Sequence, residues 1–324
     1  MITISQKMFP FSHKPGTCFL IPASPFEVEV FPALTRIYDL SGLERKLVKE
    51  VSHPIQGPLS HFLVLQDLER GCIQVWREGA LQYVLPDLQI VEEKKSGLSL
   101  PSSFEKLSLG SHKKLEWEKI LERGDFVEIF PLWHRLGTLL LLPKMQGESG
   151  MFSLLTECRQ AIFQNPPEHL LANFKRLFLA GFRPNLIPRL YDTDYQGIAN
   201  HEGGDHTPLY LLTEGAQLIR SLFVGINERG IEILPHLPPQ FHAGRFLHID
   251  CKPFGTLSLE WTKKSIRRCV FESCYEGMCH FQFRSHVKEF RVRNHEREKG
   301  RIHFSSEPME IKSGTLYLLD RFQK

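Results

Sequence analysis

The sequence predicts an α+β multidomain fold. An N-terminal antiparallel β domain, a short helical core and a C-terminal antiparallel β-sandwich follow one another along the chain. Three observations carry this. Apolar residues alternate at period two in roughly the first hundred residues and again after residue 225, but recur at three and four between them. Turn residues punctuate both alternating stretches about every ten residues. The chain has 324 residues, 42% of them hydrophobic, more than one small core uses.

Residues 1–103 form the expected N-terminal β-rich domain. Within it "TCFLIPASPFEVEVFP", "HFLVLQDL", "CIQVWREG" and "LQYVLPDLQIVEE" carry β-branched and aromatic residues, broken by Pro, Gly and Asp turns. Residues 104–225 are the expected helical region. "HKKLEWEKILERG" has a helical period and stops at Gly124; "GMFSLLTECRQAIFQ" is a second helix. "PPEHLLANFKRLFLAG" is a third, with an apolar stripe through Leu170, Phe174, Leu177 and Phe178. In the fourth, Thr207 caps, Pro208 takes the first position, and Leu209, Leu212, Ala216, Ile219 and Phe223 line one face up to Gly225. Residues 226–324 hold about seven strands, from "GIEILPHLP" to "TLYLLD".

Composition narrows the function classes. A formal charge of +3 gives no global field that demands a polyanion. The balance is uneven, with 17 Lys and Arg against 12 Asp and Glu from Ile226 onward. Alternating charge on a sheet is ordinarily its wet face, so nucleic acid is not an expected partner. The seven cysteines (Cys18, Cys72, Cys158, Cys251, Cys269, Cys274 and Cys279) are odd in number and scattered, which fits reduced thiols and a cytoplasmic setting. Cys274 and Cys279 in "CYEGMC" read as facing positions of a hairpin. "MITISQKMFPFSHKPG" lacks the charged start and apolar run of a signal peptide. The longest apolar run, "LGTLLLLP", falls well short of the roughly 20 residues of a membrane helix, so no membrane partner is expected. No dinucleotide fingerprint or nucleophile elbow is present, and no cofactor is expected.

The informative stretch is "NHEGGDHTPLYLLTEGAQLIRSLFV", where two histidines and two carboxylates surround a Gly-Gly pair ahead of a helix. A metal site is one reading. Zinc-protease helices place two histidines four apart; here His201 and His206 are five apart and Gly203-Gly204 disfavours helix, so no metal is expected. A second reading is a helix entry, in which Glu202 and Asp205 meet the free amides and dipole of the following helix. The third takes in the longer "FRPNLIPRLYDTDYQGIANHEGGDHTP", an aperiodic polar loop between two apolar helices. Tyr191 and Tyr195 offer faces to a sugar ring, and Gln196, Asn200, His201 and His206 offer hydroxyl-reading polar groups. Asp194, Glu202 and Asp205 offer carboxylates that move protons, the set a carbohydrate cleft requires.

These residues resemble part of a known family. Tyr195-Gln196 and Asn200 before a long apolar helix, followed by "GIEILPHLPPQFHAGRF" and a β run, are similar to the C-terminal part of six-hairpin (α/α) glycoside hydrolases of the α-L-fucosidase type. There "FQxDGNFG" enters a barrel helix, and "IxLLPALPxxWxxG" leads into a β-sandwich. Ile231, Leu234-Pro235, Leu237-Pro238 and Gly244 match the second motif, and the resemblance covers roughly Asn173 to Arg293. It implies a carbohydrate substrate and hydrolysis by a carboxylate pair. The family's loop aspartate falls on Ile198, and the helical region is too short for twelve barrel helices.

"LSLGSHKKLEW" and "DFVEIFPLWHRLG" are the other dense polar-aromatic stretches, and Trp133 is the further candidate for stacking on substrate. The expected function is a carbohydrate-active protein with Glu202 and Asp205 as the carboxylate pair and Asp194 as alternate. The competing expectation is a glycan-binding or assembly module that keeps the fold without catalysis. Polyanion binding through "TKKSIRRC" and "VKEFRVRNHEREK" ranks third.

Overall fold

The computed structural model describes residues 2–55, 59–92, 104–142, 150–163, 169–191, 207–284 and 287–324. Nine strands come first: β1 (Phe11–Ser12), β2 (Thr17–Leu20), β3 (Phe26–Val30), β4 (Leu34–Asp39), β5 (Lys46–Ser52), β6 (Phe62–Asp67), β7 (Cys72–Arg77), β8 (Ala80–Val84) and β9 (Ile90–Val91). After β10 (Lys106–Ser108) come α1 (Trp117–Arg123), α2 (Phe126–Thr138), α3 (Ser153–Phe163) and α4 (Leu170–Gly181). The short strands β11 (Phe182–Arg183) and β12 (Ile187–Pro188) lead toward α5 (Leu209–Ser221). The final strands are β13 (Val224–Asn227), β14 (Gly230–Ile233), β15 (Gly244–Cys251), β16 (Gly255–Thr262), β17 (Ser265–Ser273), β18 (Gly277–Phe283), β19 (Glu289–Arg293), β20 (Arg301–Phe304), β21 (Met309–Ile311) and β22 (Leu316–Gln323). The fold is α+β, rich in strands at both ends of the chain.

Two compact units divide these elements. One comprises residues 7–101 and 113–217, the other residues 1–6, 102–112 and 218–324. In the first unit β11 pairs with β12, and strands β1–β9 make two antiparallel sheets, ordered β1-β6-β7-β8-β9 and β2-β3-β4-β5. Inward positions on both are apolar and shut off from water, including Phe19, Val28, Ile37, Val64 and Val75. An arginine ties the sheets together. Arg77, only 4% exposed on β7, donates from Nη1 to Gln82 Oε1 (2.6 Å) and from Nη2 to Phe31 O (3.2 Å) and Thr35 Oγ1 (2.8 Å). No carboxylate contacts it among the described residues, and burial pushes its pKa down to about 10, so it stays cationic at neutral pH. Thr35 Oγ1 accepts from Arg77 and lies 3.0 Å from His53 Nε2, so its proton is free to go to a neutral imidazole.

The helices of the same unit pack on aromatic rings. Trp133 of α2 has its ring centroid 4.6 Å from Phe182, 6.2 Å from Phe174 and 6.4 Å from Phe130. α2 occupies the stretch read above only as polar and aromatic. Asp125 caps it by accepting from the Val127 N–H at 3.0 Å, and nearly its whole length is buried. α2 and α5 approach closely because glycines face each other's helix. A Cβ at Gly137 would lie 2.3 Å from Leu212 O, and one at Gly215 would lie 2.4 Å from the Trp133 ring.

In the second unit a seven-stranded sheet runs β10-β15-β16-β17-β22-β19-β20 and a four-stranded sheet runs β13-β14-β18-β21. All pairings are antiparallel except β14 with β18. The sheets meet through rings such as Phe271 and Phe281, 5.2 Å apart. Phe223 anchors one end of this core, 5.3 Å from Trp261 and 6.1 Å from Phe241. Two expectations are corrected here. α5 ends at Ser221, and Gly225 lies inside β13, close against Glu232. Cys274 and Cys279 do not face each other across a hairpin: Cys274 is exposed and donates to Pro253 O, while Cys279 is buried on β18 opposite Met309.

Two outcomes are expected. Gly215→Ala gains roughly 1 kcal/mol of helix propensity but drives a methyl into the indole, so the variant is destabilised by about 1–3 kcal/mol net of relaxation. Gly137→Ala, which meets a backbone carbonyl, loses more; thermal unfolding measures both. The second outcome concerns pH. Burial, reinforced by Arg77, holds His53 below its ordinary value of 6.5. The unfolded chain then binds a proton that the folded chain does not, so stability is whole above about pH 7 and erodes as pH falls below about 6.5. Urea midpoints measured across that window fall less steeply for His53→Gln than for the wild type; equal slopes would remove His53 from the account.

Candidate functional site

The polar loop is approached by a short folded-back segment whose bonds are traceable. β11 pairs with β12, bringing Phe182 opposite Pro188 and Arg183 opposite Ile187. The turn between them, "PNL", holds Asn185 and Leu186 in the left-handed region, at φ 65° and 58°. Asn185 is compensated by its amide, which donates to Thr17 Oγ1 (3.0 Å) and Cys18 O (2.7 Å) on β2. Arg189 closes the end of α4, donating to Ala180 O (2.8 Å) and Leu179 O (2.9 Å). On the far side of the loop Thr207 is buried, accepts from the Leu209 N–H at 3.2 Å and donates to Leu40 O just past β4. Its predicted capping role is thus observed. Both flanks of residues 192–206 are tied to the β2-β5 sheet.

Beneath these flanks lies a buried carboxylate. Glu27, with no exposure to water, accepts from Arg45 at 2.8 and 3.1 Å and from Arg183 at 2.6 Å. The Arg45 guanidinium covers the Tyr38 ring, 3.3 Å from its centroid, and the Tyr38 hydroxyl donates to Glu29 at 3.0 Å. The side chains of Arg45 and Arg183 are each about a third exposed, at 30% and 33%. Glu27's oxygens are saturated, which suits a clamp and not a general base. Burial and the nearby Glu27 push the Cys18 thiol up to about 12, so it carries no thiolate at neutral pH. Cys72, Cys158, Cys251 and Cys279 are likewise pushed up to about 12, burial being the first cause in each.

The candidate residues distribute as follows. Tyr191 is exposed, at 42%, where the described approach ends. Asp194, Tyr195, Gln196, Asn200, His201, Glu202, Asp205 and His206 lie outside the described residues. Trp133 is wholly buried in α2, its ring spent on packing against phenylalanines and Gly215 instead of on a solvent-facing cleft. Trp117 and His134 are equally buried, and Arg135 donates to Leu68 O from within the same unit. Among the described residues no three His, Cys, Asp or Glu side chains converge as a metal site would need.

One row of arginines on the basic strands is paired with acids. Arg245, Glu260, Arg268, Asp320 and Arg291 stand directly opposite one another in a row across β15, β16, β17, β22 and β19. Glu260 accepts from Arg245 (3.0 Å) and Arg268 (2.7 Å); Asp320 accepts from Arg291 (2.7 Å) and Arg293. Burial pushes both carboxyls up, but the guanidinium partners outweigh it and hold them below the usual range.

No protein-family model and no curated protein matches this chain.

What sequence reasoning missed is the Glu27 clamp. Its partners lie 18 and 156 residues away, and a Glu at an alternate strand position reads as an outward residue. Glu27→Gln weakens both guanidinium bonds. We expect about 2 kcal/mol of destabilisation, below the figure for fully enclosed pairs because both arginines reach water. Chemical denaturation measures it, and a Glu27→Asp variant that recovers most of the loss identifies the charge and not the volume as its source.

Proposed function

We propose that this chain is a carbohydrate-active protein whose polar loop, residues 192–206, supplies a carboxylate pair for glycoside hydrolysis. The observation that supports this most is the double tether. Asn185 on one flank and Thr207 on the other bind the same four-stranded sheet. Loops that long inside a compact unit are commonly functional, and a rigid frame at both ends is what a catalytic loop needs. Beside the frame stand Tyr38, Arg45, Arg183 and the exposed Tyr191, groups suited to ring faces and sugar hydroxyls. In this reading Glu202 and Asp205 act as acid and base, with Asp194 as alternate, while Tyr195, Gln196, Asn200, His201 and His206 bind substrate. The mechanism inverts if the pair stands about 6.5–9.5 Å apart, and retains if about 5 Å.

A second reading is favoured by two observations. Five α-helices are found among the described residues, where a six-hairpin barrel has twelve, and Ile198 occupies the resemblance's aspartate position. A chain so built binds glycan without turnover, as a binding or assembly module. The paired arginines of the C-terminal sheet give polyanion binding little support.

Aryl glycosides and oligosaccharides are to be assayed with the wild type, Glu202→Gln and Asp205→Asn. Loss of kcat by 100-fold or more in either variant, with folding intact, supports catalysis by that residue. Binding without hydrolysis in the wild type selects the second reading, and activity unchanged in both variants removes the pair from the mechanism.

A further inference from the structure

The C-terminal unit contains a groove of about 340 Å³. Its floor is aliphatic: Ile233, Leu234, Leu237 and Ile266, each below 10% exposed. Among the described residues its polar lining is cationic, from Lys264 and Arg284, and no acid lines it. Lys264 is set in place by its turn between β16 and β17. Its φ is 61° and its N–H donates to His242 O at 3.0 Å. Arg284, directly after β18, is held over the groove by a bond from Nη1 to Leu237 O. Among the described residues neither cation meets a carboxylate, in contrast to the paired arginines of the neighbouring strands. Leu234, on the floor, is itself held at φ 54°, a left-handed conformation for a bulky residue. His236, beside it, adds no third cation at neutral pH. Burial keeps its pKa below the ordinary value against the pull of Glu232, with Arg284 adding to the effect.

We infer that this groove binds a small aliphatic carboxylate, with its hydrocarbon on the Ile233, Leu237 and Ile266 floor and its carboxylate between Lys264 and Arg284. The volume falls at the lower end of small-ligand pockets, which fits a compact molecule and not a protein segment. Charge fixes the sign of the head group: two unneutralised cations beside an apolar floor favour an anion over an alcohol or an amine. The inference is independent of the carbohydrate reading, because none of its residues belongs to the polar loop.

Calorimetric titration of the full chain with octanoate, 1-octanol and octylammonium tests it. Octanoate is expected to bind saturably at one site, with octanol at least tenfold weaker and octylammonium without detectable binding. Lys264→Glu combined with Arg284→Glu weakens octanoate at least tenfold. Lys264→Glu alone, on an exposed turn, decides the matter if the double variant fails to fold. Absence of saturable octanoate binding, octanol binding as tightly as octanoate, or variants of undiminished affinity would overturn the assignment.

Discussion

The Glu27 carboxylate, without access to water, organises the attachment of helices to sheet in the first unit. Glu27 sits on β3, yet its two cationic partners come from the residue just before β5 and from the strand that follows α4. An anion in that position is costly unless it is fully paired, so the fold has to bring Arg45 and Arg183 to it. Once they are there, the helical segment is pinned to the β2-β5 sheet. Asn185 and Thr207 then complete the attachment with neutral bonds.

Much of the architecture was legible from periodicity and much of the site was not. The alternation of "FEVEV" and "CIQVWR" and the three-four repeat of α5 reflect burial on one face, which sequence records directly. Thr207 and Asp125 are capping residues, and capping is local, so Thr207 was legible in advance. α2 escaped because its polar residues Glu128, His134 and Arg135 are buried along with its apolar ones, so the stretch read as a functional polar-aromatic cluster, and because Pro131 lies inside it. The pair Cys274 and Cys279 misled because "EG" suggests a tight hairpin, whereas the chain crosses there from one sheet to the other. Clamps such as Glu27 with Arg183 join residues 156 apart and have no local signature.

Two charged systems of the molecule solve different problems. In the first unit Glu27 is enclosed and its cations remain partly wet. In the second, Glu260 and Asp320 are spread along a row in which every acid is flanked by arginines from adjacent strands. Cross-strand pairs of opposite charge favour one register and penalise a slip that would set like charges opposite. The row therefore specifies alignment of the long strands more than it supplies a surface for a polyanion. Against that neutralised background the open groove near Lys264 and Arg284 stands apart.

The small strand β10 carries a consequence for biosynthesis. Residues Lys106–Ser108 align with Arg245–Leu247 of β15, while about half of the other folding unit is encoded between them. During translation β10 emerges long before its partner and has no ladder to join. The intervening helices can condense early, but the seven-stranded sheet acquires its edge only after a late, long-range closure, the kind of step that slows folding and leaves strands open to wrong neighbours in the interim.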